Sequence, residues 1–238
     1  MLDANAVTHG LLTAPSFLGT DNSYLLAGLD TAKGRLRGTV IFDPRTSRAE
    51  LEEMAVRGAT GVRLNLFRKP ERDVPDLTSS ACRALFGACA ELGWHVEIYD
   101  EGPRLARWLP QIMETGVRVV VDHFGSPDPV AQVDCPGFRA VLSGFASGKL
   151  WVKLSAPYRV GGATLAARYA PHLLAEGGAQ RLVWGSDWPW TQNEAGQSYG
   201  RCLEWLEEWI PDPAARETLL GETPLELFGF PPRLTIND

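Results

Sequence analysis

Asp187 and His123 are the two residues of this 238-residue sequence whose type and position most clearly suggest chemistry. Each follows a short apolar run: Asp187 stands in "LVWGSDWPW" (182–190) and His123 in "VRVVVDHFG" (117–125). A carboxylate so placed can act as a general base or bind a metal, and an imidazole can polarise a carbonyl group or bind a metal. We expect both residues to be catalytic; the structural alternative for Asp187 is capping a turn.

The two runs also predict which neighbours share a face with these residues, because side chains alternate between the two faces of a strand. Asp187 has the parity of Val183, and His123 has the parity of Val119 and Val121. We therefore expect each of the two residues to end a row of side chains on one strand face.

Cationic side chains follow two other apolar runs. Arg63 lies inside "GVRLNLFRKP" with Arg68 and Lys69 behind it, and Arg159 ends "VKLSAPYR". A charge inside an apolar run is costly unless it has an anionic partner, and arginine can hold a carboxylate through two parallel hydrogen bonds. These residues predict an anionic substrate; alternatively, Arg63 pairs with an internal acid such as Glu97 and the loop cations lie in solvent.

Two further residues are candidates for substrate binding. Ser16, in "APSFLGTDNSYLL", offers a hydroxyl group but could equally be a turn residue, and Tyr99 ends the run "WHVEIY". His95 begins that same run, so we expect it at the opposite end of the strand, as a satisfied structural histidine.

Short apolar runs alternate with amphipathic helical patterns along the chain, which indicates a parallel α/β sheet. Ser47 and Ser79 are expected helix N-caps, and Gly58, Gly93 and Gly116 expected helix ends. A doubly wound sheet usually has a glycine-rich phosphate loop, which is absent here, so we favour a (β/α)8 TIM barrel. The expected strands are Val7–Thr13, Leu36–Phe42, Gly61–Leu66, His95–Tyr99, Val117–Asp122, Leu150–Leu154 and Leu182–Ser186.

Only seven parallel strands are recognisable, whereas a barrel of this type has eight. Met1 falls just before a strand, in what resembles the last turn of a helix, so the absent unit would be the first one. The sequence thus predicts a single domain over residues 1–238 that lacks its first β-strand unit; a strand missed by pattern inspection is the alternative.

Composition and absent motifs exclude several classes of protein. A net charge of −6 without a basic tract gives no support for nucleic-acid binding. No apolar run has transmembrane length, and the stretch "MLDANAVTHG" lacks the charged-then-apolar pattern of a secretion signal, so we expect a cytoplasmic protein without a membrane partner. The four cysteines form no C-x-x-C pair, no P-loop or H-E-x-x-H motif is present, and no expected strand ends in a G-x-S-x-G nucleophile elbow. Oligomeric state is left open.

Five segments together resemble one known family. "PSFLGTDNSYLL", "GVRLNL", "VVVDHFG", "VKLSAPYR" and "LVWGSDWPW", in this order, resemble the amidohydrolase-related branch of the amidohydrolase superfamily, and within it the pyrone-dicarboxylate lactonase group. The resemblance implies a TIM-barrel hydrolase, with a place in the catabolism of aromatic compounds. The family's first strand ends in His-x-His, and this sequence contains no His-x-His.

The resemblance implies roles for individual residues. Asp187 aligns with the aspartate that activates water, and His123 with a histidine that holds a metal or polarises the scissile carbonyl. Arg63 and Arg159 match arginines that hold substrate carboxylates; Arg68 and Lys69 match a further cationic position only loosely.

The predicted activity is hydrolysis of a small carboxylated lactone, or a related cyclic ester or amide, by water that Asp187 activates. The cofactor is expected to be either none or a divalent metal such as Zn²⁺, for which His123 and Asp187 are the candidate ligands. The alternatives are a decarboxylase of the same superfamily and an incomplete barrel that only binds an anion.

Overall fold

The chain forms one seven-stranded parallel sheet with helices between the strands, in a computed structural model that describes residues 1–32 and 34–231. The strands pair in sequence order, each with the next, so every connection is a βα unit. They are β1 (Gly10–Thr13), β2 (Leu36–Ile41), β3 (Ala59–Asn65), β4 (His95–Tyr99), β5 (Arg118–Val121), β6 (Leu150–Leu154) and β7 (Leu182–Trp184).

The helices lie where the amphipathic patterns predict them. Ser47 caps the second helix through a reciprocal capping box with Glu50, and Ser79 caps the third. The helices are α1 (Ser23–Thr31), α2 (Arg48–Val56), α3 (Ser80–Glu91), α4 (Gly102–Met113), α5 (Pro136–Gly144), α6 (Ala163–Gly177), α7 (Tyr199–Trp209), α8 (Pro213–Glu217) and α9 (Thr223–Phe228).

Five of the seven expected strands have bounds that differ from the observed ones. The second ends at Ile41 rather than Phe42, and the third spans Ala59–Asn65 rather than Gly61–Leu66. The first strand begins at Gly10 rather than Val7, because the backbone carbonyls of Val7 and Thr8 accept hydrogen bonds from the Arg35 side chain instead of joining the ladder. The fifth strand omits residues 117 and 122, and the seventh ends at Trp184. The residues after Trp184 leave the extended conformation, and Asp187 has a φ of 56°.

The sheet is a half-barrel of TIM-barrel-like construction. Among the described residues, β1 and β7 are its edge strands and are not paired with each other. An eight-stranded closed barrel would place one more strand between them. That the absent strand unit is the first one stays a prediction.

The two faces of the sheet bury different sets of side chains. Val119 and Val121 belong to the large apolar core between the sheet and its helices. Val120, Trp151 and Val183 face the other way and form a smaller apolar cluster with the chain's C-terminal helix. This second face, on the concave side, is called the inner face below.

Helix α9 and the residues after it cover the amino ends of the strands on the inner face. The Phe228 ring lies 5.1 Å from the His95 ring, edge to face. The Arg37 guanidinium donates to the Gly229 carbonyl oxygen at 3.0 Å. The inner face is therefore closed by apolar packing at one end and carries its polar groups at the other.

Two glycines make room for larger side chains on the inner face. A Cβ at Gly61 would lie 2.4 Å from the His95 ring, and one at Gly185 would lie 3.2 Å from Lys153 Cδ. These positions let His95 and the Lys153 stem turn inward. No helix among residues 1–32 and 34–231 has both the length and the apolar character needed to cross a membrane.

Candidate active site

The polar groups at the carboxyl ends of the strands continue the inner-face rows. In β4 the row runs from His95 through Glu97 to Tyr99, and in β6 it runs through Lys153 to Ser155. The strand ends thus carry two polar layers above the apolar amino ends, and in barrel folds this end of the sheet holds the active site.

Asp187 is held by two neighbouring residues that follow β6. The Tyr158 hydroxyl donates to Asp187 Oδ2 at 2.7 Å, and Arg159 Nε donates to the same oxygen at 2.9 Å. Arg159 also donates through Nη2 to the Thr191 carbonyl oxygen at 3.0 Å. Burial and the charge of Asp187 raise the pKa of Tyr158, so its hydroxyl stays a donor. The other carboxylate oxygen, Oδ1, remains available.

His123 faces that second oxygen. Its Nε2 lies 3.9 Å from Asp187 Oδ1, while its Nδ1 lies 2.8 Å from the Ser155 hydroxyl, in a buried contact. The Tyr99 ring stands edge-on to the imidazole at 4.8 Å. Burial lowers the pKa of His123 to about 4 despite the nearby Asp122 and Asp187, so the imidazole is neutral near pH 7. A neutral imidazole held at Nδ1 presents Nε2 to a ligand.

The parity predicted for His123 is wrong. Val119 and Val121 pack outward against the helices, yet His123 reaches the site with Asp122, which continues the inward row of Val120. The reason is local backbone geometry: His123 has a φ of 46°, and residues 124–126 also have positive φ values. At His123 the chain has left the extended conformation, and strand alternation no longer predicts the direction of its side chain.

A ring of four buried charges lies beneath these groups and is called the charge tetrad. Lys153 Nζ lies 2.7 Å from Glu97 Oε2 and 2.6 Å from Asp122 Oδ1. Arg63 Nη2 donates to Asp122 Oδ2 at 3.2 Å, and Arg63 Nε lies 3.3 Å from Glu97 Oε1. Each of the four side chains is at most 13% exposed. The structural alternative for Arg63, pairing with an internal acid such as Glu97, is therefore observed.

Positive and negative groups alternate around the tetrad, and each group shifts the pKa values of its neighbours. Burial would raise the pKa of Asp122, but Lys153, His123 and Arg63 outweigh it and lower that pKa. The pKa of Glu97 is raised by burial and by Asp122, against the pull of Lys153. Burial opposes the charge on Lys153, but the two acids raise its pKa, so it stays protonated.

Arg63 keeps part of its guanidinium free for a ligand. Its Nη1 donates to the Ala14 carbonyl oxygen at 3.3 Å, its Nη2 to Asp122, and its Nε faces Glu97. A guanidinium carries five N–H groups. Within the described residues, one N–H on each terminal nitrogen has no recorded acceptor, and two such groups suit a carboxylate.

Tyr99 lies at the centre of the site and is buried. Its ring stacks on Phe67 at 4.6 Å, and its hydroxyl is buried near the Arg159 guanidinium, without a hydrogen bond of good geometry within residues 1–32 and 34–231. Burial raises the pKa of Tyr99 to about 12, so the hydroxyl remains protonated. A buried hydroxyl without a partner is costly, and a bound ligand could supply one.

The remaining expected binding residues lie at the rim. Arg68 is exposed, with its guanidinium 5.2 Å from the Phe67 ring, and Lys69 is exposed as well. The Ser16 hydroxyl accepts a hydrogen bond from Asn65 at the end of β3. The structure thus separates a buried group around Tyr99 from a solvent-facing rim.

Tyr158, Ser155, Asp122 and Lys153 are the site residues that motif inspection left without a role. Asp122 and Lys153 could have been found by extending the inner-face parity from Val120 and Trp151. Tyr158 follows a left-handed residue, Ala156 (φ 49°), and no periodic signal predicts its direction.

The site has few side chains that could bind a metal ion. Among residues 1–32 and 34–231, no three His, Cys, Asp or Glu side chains converge on one point. His123 and Asp187 supply two donors, whereas a catalytic zinc normally has three protein ligands. The described residues therefore do not fit a zinc centre.

Comparisons with known proteins converge on lactone hydrolases. The amidohydrolase family model Amidohydro_2 matches residues 1–230. The chain is 25% identical over 238 residues to the 4-sulfomuconolactone hydrolase of Hydrogenophaga intermedia, covering 95% of this chain and 76% of that one.

Solved structures agree. A Pseudomonas putida protein assigned as a 2-pyrone-4,6-dicarboxylic acid hydrolase is 41% identical, with a TM-score of 0.90, over 98% of this chain and 86% of that chain. An Acinetobacter baumannii protein assigned to the same activity, crystallised with citric acid bound, is 32% identical, with a TM-score of 0.88, over 96% and 86% of the two chains.

Proposed function

This chain belongs to the amidohydrolase family, and from that premise we propose that it hydrolyses a small lactone bearing carboxylate groups. The observation that carries the proposal is the approach of Asp187 Oδ1 to His123 Nε2, 3.9 Å apart at the open ends of the strands. Side by side, the two atoms offer a general base and a neutral hydrogen-bond donor. A water molecule and a carbonyl group need such a pair.

The reaction has two steps. Water attacks the ring carbonyl carbon, Asp187 takes one proton from that water, and a tetrahedral oxyanion forms. The ring C–O bond then breaks, the carbonyl is restored as a carboxylic acid, and the proton passes from Asp187 to the leaving oxygen. One water is consumed, and a single open-chain acid leaves.

His123 stabilises the developing oxyanion. Its Nε2 must carry the hydrogen for this role, and the Ser155 hydroxyl, 2.8 Å from Nδ1, can then donate to that nitrogen. Since the pKa of His123 is lowered to about 4, the imidazole donates this hydrogen bond as a neutral group throughout the neutral pH range.

The anionic groups of the substrate bind the cationic and phenolic groups of the pocket. Arg63 offers two free N–H groups, Arg159 lies against Asp187, and Tyr99 has a buried unpartnered hydroxyl. Ser16, Arg68 and Lys69 extend the binding site at the rim. This set suits a ring with one carboxylate near the reacting bond and another anionic group further out.

The direct test is a substrate panel with the purified protein. We expect ring opening of 2-pyrone-4,6-dicarboxylate or 4-sulfomuconolactone, the compounds for which relatives are named, and slower ring opening of unsubstituted 2-pyrone, which lacks the anionic groups. Hydrolysis of none of the three would contradict the proposal. Release of CO₂ without ring opening would indicate a decarboxylase instead, and binding without turnover would indicate an anion-binding protein.

No step of this mechanism is routed through a metal, because two donors do not fit a zinc centre. We expect hydrolysis to continue after prolonged dialysis against EDTA. Loss of activity that returns with added Zn²⁺ would contradict this expectation and would assign His123 and Asp187 as metal ligands.

A further inference from the structure

The charge tetrad is an unusual structure to find beneath a binding site for anions. Two cations and two carboxylates share one buried ring, and of the four only Arg63 has a part in the proposed function, as a binding residue. A buried ion pair is weak grounds for a role in stability alone, because the cost of removing charges from water can exceed their attraction.

The geometry ties the tetrad to Arg63, which is both a member of the ring and the deepest substrate-binding residue of the proposed site. Glu97 and Asp122 face Arg63 from below, and Lys153 faces the same two acids from the other side. Lys153 therefore offsets part of the negative charge that would otherwise neutralise Arg63.

The charge balance follows directly. With all four groups ionised the tetrad has no net charge. A carboxylate that approaches the free N–H groups of Arg63 therefore meets no net charge from the tetrad as a whole. Without Lys153, and with both acids still ionised, the tetrad would carry one net negative charge and would repel the carboxylate. Without the charge of Glu97 it would carry one net positive charge and would attract the carboxylate more strongly.

We infer that Lys153 and Glu97 are positioning residues that set, through the charge balance of the tetrad, how strongly Arg63 attracts an anionic ligand. They touch neither the water nor the scissile bond, and they act on the substrate only through Arg63 and Asp122. The inference rests on the proposed function for the substrate-binding role of Arg63. The effect of the tetrad charges on the binding of an anion does not depend on that function.

The test uses citrate as a non-reacting probe, because citric acid is bound in the structure of the Acinetobacter baumannii relative. We expect Glu97→Gln to tighten citrate binding by about tenfold, and Lys153→Met to weaken it by about tenfold. Gln can still accept the hydrogen bond from Lys153, and Met preserves most of the length of the lysine stem. Binding is measured by titration calorimetry.

The double variant Glu97→Gln/Lys153→Met decides between charge balance and packing. It removes one charge of each sign and leaves Arg63 paired with Asp122, so we expect its affinity for citrate to return to within about threefold of the wild-type value. A purely structural tetrad predicts that the double variant binds no better than Lys153→Met alone. The gain in Glu97→Gln cannot come from misfolding, which only weakens binding.

Matched controls make the same charge changes at the opposite end of the sheet. Lys149 and Glu226 are exposed there, beside the amino ends of the strands. Lys149→Met and Glu226→Gln should leave citrate affinity unchanged. If they shift it as much as the tetrad variants do, net charge rather than the tetrad sets the affinity, and the inference fails.

The remaining outcomes separate this inference from the proposed function. The expected citrate pattern in a protein that hydrolyses no lactone would sustain the inference and reject the function. Lactone hydrolysis with citrate affinity unchanged in Glu97→Gln and Lys153→Met would do the reverse. Absence of citrate binding in both the wild type and Glu97→Gln would also overturn the inference.

Discussion

Asp187 depends on two consecutive residues for its orientation. Tyr158 and Arg159 both donate to Oδ2, so Oδ1 is the oxygen that faces His123. A carboxylate held by one oxygen and free at the other can take a proton in a defined direction. Since the phenol and guanidinium come from a single turn after β6, that turn fixes the geometry of the proposed base.

We predict that Tyr158→Phe lowers kcat by about tenfold or more, because a hydrogen bond to a charged group contributes about 1.5–3 kcal/mol. The measurement is steady-state hydrolysis of a lactone that the wild type opens. Tyr24→Phe is the control, since that tyrosine is 81% exposed and lies on α1, and it should have wild-type kinetics. An unchanged kcat in Tyr158→Phe would show that Arg159 alone orients Asp187.

At the scale of strands and turns, the sequence could predict the regular secondary structure. The seven strands, their parallel order and the helix caps follow from apolar runs and capping residues. The face of the sheet to which a side chain points is correctly predicted within the extended strands, as for Glu97 in the middle of β4.

Prediction fails where the chain turns. His123 has a left-handed conformation, and its side chain therefore reaches the site against the parity of its strand. Tyr158 lies two residues after the left-handed Ala156, and no periodic pattern indicated that it would contact Asp187. Loop backbone geometry depends on tertiary packing, which sequence alternation does not encode.

The inner face also imposes a size limit at Gly61, next to His95. We predict that Gly61→Ala lowers the free energy of unfolding by about 1–3 kcal/mol, the usual cost of overpacking, because the new methyl group would lie 2.4 Å from the buried imidazole. Gly87→Ala is the control: it lies within α3, has open space around it and should be neutral or stabilising. Urea unfolding of both variants measures this, and equal midpoints would reject the packing account.

Across the whole molecule, apolar, charged and reactive side chains occupy different levels along the strands. Apolar packing with α9 closes the amino ends, the charge tetrad fills the middle, and the reactive groups stand at the carboxyl ends. The chain is acidic overall, yet its site presents Arg63 and Arg159 to the mouth. On the proposed function, an anionic ligand is attracted to this one place on a molecule whose net charge otherwise repels it.

The buried histidines predict that the molecule loses stability in acid. Burial lowers the pKa of His95 to about 3 and that of His123 to about 4, from 6.5. Below pH 6.5 the unfolded chain binds protons that the folded chain does not. The free energy of unfolding therefore falls as pH decreases from about 6.5 towards 4, by about 1.4 kcal/mol per pH unit for each histidine.

Comparison with His123→Gln isolates that effect from the opposing titration of Glu97, whose pKa is raised. The slope of the free energy of unfolding between pH 6 and pH 5 should be smaller in the variant by about 1.4 kcal/mol per pH unit. Identical slopes in the two proteins would mean that His123 is already protonated in the folded state.

The most direct test of the central claim is the rate of lactone hydrolysis by Asp187→Asn, measured beside citrate binding on the same preparation. Asparagine keeps the shape of the side chain and can still accept from Tyr158, but it cannot take a proton from water. We predict that hydrolysis falls by about 100- to 10,000-fold while citrate still binds. Turnover near the wild-type rate in a variant that binds citrate would contradict the assignment of Asp187 as the general base.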